Sequence, residues 1–262
     1  MTSSVRGCRA AIVCAAFAAL NPGLATAQSA ALPAGFVYLR DIDPTIAQDI
    51  RYAGFDNFVG RPLPGYEAPE CILRQDTAAA LKRVQADIAA SGLSLKVYDC
   101  YRPLRAVQAM AAWANDGRPE TTTKRFFPKL HKSTLFGMGY ISSQSKHSSG
   151  NTVDLTLIAR MGAPAAAFDP RAAYGPCTAP AETRSPDNSV DMGTGFDCFD
   201  PASYTASTLV GAEQRRQRKM LIDAMRNQGF RNYFREWWHF SYSASGGSYN
   251  FSIRSRITTA AH

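Results

Sequence analysis

The chain has 262 residues, 45% hydrophobic and 19% charged, with a formal net charge of +8. That composition excludes a disordered chain, which needs more charge and fewer aromatics, and no run of about 18 apolar residues offers a permanent membrane span. The length allows one large domain or two small ones. Positive residues are scattered, and the densest run, Arg215, Arg216, Arg218 and Lys219, reads as the solvated face of a helix, so nucleic acid is set aside as a partner.

Arg6 and Arg9 head a short apolar run from Ala10 to Leu20, which Asn21, Pro22 and Gly23 break. Ala25-Thr26-Ala27 then supplies a small-x-small cleavage site, so residues 1–27 read as a secretory signal peptide and residues 28–262 as the exported chain. Cys8 and Cys14 would leave with the signal. Cys71, Cys100, Cys177 and Cys198 remain, an even number in an exported chain, and no Cys-x-x-Cys pair supports a zinc-thiolate site. Four cysteines allow three pairings. We expect Cys71–Cys100, tying the segment before a helix to the end of the next strand, and Cys177–Cys198, closing a long loop.

The spacing of Leu81, Val84 and Ile88 predicts a helix over Asp76 to Ser91, with Asp76 as its cap and Gly92 as its stop. Leu93, Leu95 and Val97 alternate with polar residues as in a half-buried strand running into Asp99 and Cys100. Pro103 opens a second helix with Val107, Met110, Ala111 and Trp113 on its apolar side. Val153 to Leu157 reads as a strand. Ala159 to Ser189 holds five prolines and reads as a long surface loop. Arg215 to Asn227 is a helix with Met220, Leu221 and Ala224 inward. The aromatic run Tyr233 to Tyr242 reads as a core strand. Helices and strands alternate without a βαβ rhythm, and no linker or repeat divides the chain. A single α+β domain follows.

Three constellations carry chemistry. In Ser145-Lys146-His147-Ser148-Ser149-Gly150-Asn151-Thr152-Val153-Asp154, a turn followed by a strand can bring His147 and Asp154 into one pocket. Taken alone it fits a solvated His147 and a turn-capping Asp154 better. Glu236-Trp237-Trp238-His239 sets ionisable groups within the most apolar stretch, where burying even a neutral polar group costs about 2–7 kcal/mol without a partner. Positions three apart face opposite sides of a regular strand, so these two share a pocket only if the chain bends between them. The plainer reading is a hydrogen-bonded core histidine with Glu236 outside. In Tyr98-Asp99-Cys100-Tyr101-Arg102-Pro103, Arg102 projects from a rigid base and suits an oxyanion or carboxylate, though many arginines merely cap surfaces.

The order YDCYRP, SKHSSGNTVDLTL, EWWH resembles the D-alanyl-D-alanine dipeptidases, zinc peptidases related to the vancomycin-resistance dipeptidases and the hedgehog/D,D-peptidase fold. Asp49-Ile50-Arg51-Tyr52-Ala53 and Asp191 to Asp197 extend the likeness, which runs from about Leu39 to Tyr242. EWWH points to the dipeptidase branch. Thr152 stands where the family usually has Ala, and Ser149 where an Arg often follows the histidine.

The resemblance implies an α+β fold with a central, mostly antiparallel sheet and flanking helices. It implies one zinc ion per chain on His147, Asp154 and His239, a set that leaves the fourth position open as catalytic sites do. Glu236 would then be the general base, Arg102 the oxyanion partner, Asp197 the holder of the substrate ammonium, and Ser145 a further substrate contact. The expected activity is hydrolysis of D-Ala-D-Ala by an exported enzyme of peptidoglycan metabolism or glycopeptide resistance. The alternatives are a D,D-carboxypeptidase acting on longer stems and a non-catalytic binding module of the same fold. Intact ligands, base and arginine favour the enzyme.

Overall fold

The computed structural model describes residues 31–242 and 246–256 together with Met1. The expected signal peptide, residues 1–27, lies outside them, as do Cys8, Cys14 and His262. In chain order the elements are β1 (Phe36–Tyr38), α1 (Leu39–Ile42), β2 (Ala47–Gln48), β3 (Ile72–Arg74), α2 (Gln75–Ala89), β4 (Leu93–Asp99), α3 (Leu104–Ala114), β5 (Thr152–Ala159), α4 (Ala212–Asn227), β6 (Arg231–Asn232) and β7 (His239–Ser241). β1 and β3 form a small antiparallel ribbon, and the main sheet has the order β2-β4-β5-β7-β6. Every pairing in that sheet is antiparallel except β2 with β4. The fold is α+β with a central, mostly antiparallel sheet. Among the described residues no helix is long and apolar enough to cross a membrane.

β5 is the middle strand. Val153, Leu155 and Leu157 are fully buried, each worth about 1.5–3 kcal/mol. α2 lays Ala78, Leu81, Val84 and Ile88 inward at helical spacing and packs against β4 and α4. The alternation expected on β4 differs in one respect, since Ser94 and Lys96 are also buried. Gln85 donates to Ser94 Oγ at 2.8 Å, and Lys96 donates to Asn188 in the long loop, so both polar positions are covered and partnered. Ala159, at the head of that loop, ends β5, and the rest of the loop contains no strand and only one short 3₁₀ turn, Ala181–Thr183.

Three expectations are corrected. Met220 is 41% exposed, whereas Leu221 is buried as expected, together with Met225 and Arg218. Arg218, read as solvated, donates to the carbonyls of Met192 and Tyr204, both at 2.8 Å. The aromatic run is not one strand: only His239–Ser241 is extended, and residues 233–238 turn tightly. Asn232 Nδ2 holds this turn by donating to the carbonyls of Glu236 and His239, each at 3.0 Å. The two expected disulfides, Cys71–Cys100 and Cys177–Cys198, are both formed.

Candidate active site

The antiparallel register sets Asp154 on β5 directly opposite His239 on β7, so both side chains leave the same face of the sheet. His147 reaches them from a 3₁₀ turn, Lys146–Ser149, that leads into β5. Gly150 ends that turn at φ +78°, and a Cβ there would lie 2.3 Å from the Phe36 ring, so the position admits only glycine. The Cys100 carbonyl lies 2.7 Å from His147 Nδ1. A carbonyl can only accept, so Nδ1 carries the proton and Nε2 is left as a lone pair. The Cys71–Cys100 disulfide sits at the residue that orients this imidazole.

Three ligand atoms converge. His147 Nε2 lies 3.2 Å from His239 Nδ1 and 3.3 Å from an Asp154 oxygen, and His239 Nδ1 lies 3.0 Å from the other Asp154 oxygen. Donors about 2.0–2.1 Å from a tetrahedral ion are roughly 3.3 Å apart, so the spacing fits a shared metal. Asp154 Oδ1 is buried and, despite its short distance to His239, has no hydrogen bond of proper geometry. Burial raises the Asp154 carboxyl, but His147 and His239 outweigh it and hold it below the usual range. His147, Asp154 and His239 could therefore hold a cation.

The bend between Glu236 and His239 meets the condition set by their spacing. Glu236 Oε2 lies 3.5 Å from His239 Nδ1, and the two share the cleft. Burial pushes the Glu236 carboxyl up to about 7, with His239 partly opposing and Asp154 reinforcing the shift. Burial also lowers His239, but the nearby Asp154 carboxylate, helped by Glu236, overcomes this and raises it.

Arg102 follows β4 and donates from Nε and Nη2 to Asp99 Oδ2, at 2.9 and 2.8 Å. Asp99, fully buried, also accepts from Tyr66 at 2.6 Å. The guanidinium lies over the Tyr52 ring, 4.8 Å from its centroid, and among the described residues Nη1 has only the weak acceptor Met110 Sδ at 3.7 Å. One strong donor edge is thus available for a substrate oxygen.

Asp197 accepts from the Tyr52 hydroxyl at 2.7 Å. Burial, then the Asp154 charge, pushes its carboxyl well above the usual range, against the Tyr52 bond and Arg102. Its φ of +55° is the one left-handed non-glycine conformation among the described residues, held beside the Cys177–Cys198 bridge. Ser145 opens the His147 turn. All seven expected residues line one cleft of about 770 Å3.

At its centre four carboxylates, Asp99, Asp154, Asp197 and Glu236, face one permanent cation, Arg102. The site lacks positive charge, and a divalent cation on the two imidazoles and Asp154 would supply it. Three residues escaped sequence reasoning. Tyr52 lies in the Asp49–Ala53 stretch, where nothing local marks it for a role, Asp99 stands three residues before the Arg102 it holds, and Asn232 has no local signal at all.

The sequence profile of the family described as D-ala-D-ala dipeptidase matches residues 33–184 and 182–257. A D-alanyl-D-alanine dipeptidase of Enterococcus faecalis is 32% identical over 206 residues, covering 79% of this chain and 90% of that protein. One from Streptomyces coelicolor is 31% identical with the same coverage, and one from Escherichia coli is 29% identical over 78% of this chain and 82% of its own length. The crystal structure of the vancomycin resistance D,D-dipeptidase VanXYg with a D-Ala-D-Ala phosphinate analogue aligns at 16% identity and a TM-score of 0.33, over 79% of this chain and 66% of that one. With profile matches spanning most of the described residues, the chain belongs to the D-ala-D-ala dipeptidase family of peptidases.

Proposed function

We propose that the chain is an exported zinc dipeptidase that hydrolyses D-alanyl-D-alanine in peptidoglycan metabolism or glycopeptide resistance, with residues 1–27 removed and 28–262 forming the enzyme. The observation that carries this reading is the convergence of His147, Asp154 and His239 beside a carboxyl raised to about 7. Four related dipeptidases support the substrate. Two disulfides support an oxidising compartment.

His147 through Nε2, His239 through Nδ1 and Asp154 through its carboxylate would hold one zinc ion. When bound, zinc acidifies a water and polarises a carbonyl oxygen. Glu236 takes a proton from the attacking water on its carboxylate and passes it to the leaving amine. A base whose pKa lies close to neutrality suits both transfers. Arg102 donates from Nη1 to the carbonyl oxygen as charge develops there, and its anchorage on Asp99 removes the need for reorganisation. Asp197, with the Tyr52 hydroxyl beside it, receives the free ammonium, which supplies the counter-charge that this buried carboxyl lacks. Ser145 contacts the substrate beside the metal-binding turn.

The test is substrate length. An acylated nitrogen brings no charge to Asp197 and costs several kcal/mol there, of order 3–5 for a buried charge left unpaired. Free D-Ala-D-Ala should be cleaved while N-acylated D-Ala-D-Ala is nearly inert, and Asp197→Ala should narrow the gap by harming the free dipeptide most. Equal kcat/KM for the two substrates in the parent protein would overturn this reading and favour the D,D-carboxypeptidase.

A further inference from the structure

Of the cationic side chains lining the cleft, Arg102 is committed to Asp99, while Lys146 and Arg231 have no assigned work. Neither of these two has an ion pair or side-chain hydrogen bond among the described residues. Their place in the fold is not arbitrary. Arg231 is paired with Ser241, and Ser241 with Thr152, so these three side chains share the face that carries Asp154 and His239, one alternation further along the strands. Tyr52 follows β2 and Arg102 follows β4, whereas Arg231 lies on β6 at the opposite edge of the sheet. The Asp197–Tyr52 pair therefore stands at one side of the metal-binding residues and Arg231 at the other. Lys146 begins the turn that carries His147 and borders the same cleft.

A dipeptide is a zwitterion, extended over about 7 Å from end to end. With its ammonium at Asp197, its carboxylate is carried past the metal-binding residues toward the β6 edge. Asp154 and Glu236 repel it there, and among the described residues the only uncommitted positive side chains lining the cleft are those two. We propose that Arg231, with Lys146 as a second point charge, receives the C-terminal carboxylate and so makes the cleft selective for peptides ending in a free acid. The proposal rests on the dipeptidase reading. It deepens that reading by naming what recognises the end of the substrate remote from Asp197. A guanidinium on an exposed edge strand can present a fork of donors to a carboxylate, which an ammonium cannot, so Arg231 dominates.

The experiment compares D-Ala-D-Ala with D-alanyl-D-alaninamide, which keeps the ammonium and the scissile bond but lacks the terminal charge. The parent should prefer the acid. Arg231→Gln should lower the acid-to-amide ratio of kcat/KM about ten-fold, mainly through KM, as for one solvent-accessible charge-assisted bond. Lys146→Gln should lower it less, and Arg231→Lys should restore part of the ratio. An unchanged ratio in Arg231→Gln, or an equal fall on both substrates, would overturn the proposal. Calorimetric affinity of the zinc-loaded Glu236→Gln protein for the same two ligands, with and without Arg231→Gln, reads the preference without turnover. A chain that binds the acid over the amide through Arg231 but hydrolyses neither would break the functional reading and leave this inference standing. Equal affinity for the two ligands overturns the inference itself.

Discussion

Two buried clusters of charge in this molecule look alike in composition and behave in opposite ways. Around Asp187, Arg51 donates to Asp49, Asp56 and Asp187, Lys96 donates to Asp187, and Arg125 donates to Asp56. Three cations meet three carboxylates, with the Tyr98 hydroxyl adding a bond of 2.6 Å to Asp187. Burial raises the Asp187 carboxyl, but Arg51 and Lys96 outweigh it and hold it below the usual range. At the centre of the cleft, four carboxylates surround Arg102, with Lys146 and Arg231 only at its border, and Glu236 and Asp197 rise instead. Burial is common to both clusters, so burial does not mark the site. Unbalanced charge does, because it leaves groups that only an incoming cation, ammonium or proton can satisfy. The balanced cluster pins the Pro-rich loop to β4 and needs nothing further.

The largest expected effect comes from removing the proton acceptor of the unbalanced cluster. Glu236→Gln should retain metal and lose turnover by about 10²–10⁴-fold, the usual contribution of a positioned base. Activity within a few-fold of the parent would place the base elsewhere. The matching change in the balanced cluster, Arg51→Met, should act on stability instead. It leaves Asp56 and Asp187 short of a partner, at a cost of about 3–5 kcal/mol in urea unfolding. Little loss of stability would show that the pairing there is not what holds the loop.

The subtlest contrast is in pH. The folded value of Asp187 lies below its unfolded value of about 3.9, so its contribution is complete above about pH 4 and is lost as the pH falls through the folded value. Glu236 is the reverse. Its folded value is about 7, and between about pH 4.3, its unfolded value, and that point the folded state holds the extra proton. Metal-free protein should therefore lose stability as the pH rises through this window, with Asp197 adding in the same sense. Unfolding midpoints across the pH range should show Asp187→Asn flattening the acid limb and Glu236→Gln flattening the neutral one. Identical profiles for both variants would erase the distinction between the clusters.

What was legible in the sequence follows the range of the interactions. His147, Gly150 and Asp154 sit within one turn-and-strand unit, and Glu236 with His239 within another, so each set falls inside a short motif; spacing alone favours the plainer readings, and the order of the motifs along the chain carries the resemblance that assigns their roles. The opposition of Asp154 and His239 depends on strand register, which no local pattern encodes. Tyr52 reaches Asp197 across 145 positions and could be found only in space. The overlong strand at Tyr233–Tyr242 came from trusting aromatic content, where the Asn232 amide holds a turn. A charge run such as that around Arg218 predicts a solvated face, and the carbonyl partners that bury it lie 14 and 26 residues away.

The most direct measurement is zinc stoichiometry on purified protein, by metal analysis and calorimetry, in the parent and in His147→Ala and Asp154→Asn. If zinc balances the cleft, the parent binds one ion per chain and each variant retains essentially none, since three protein ligands leave none to spare. The Asp187→Asn protein, altered in the balanced cluster, should bind zinc as the parent does. Stoichiometric zinc in His147→Ala, or a parent that binds no zinc at all, would contradict the account.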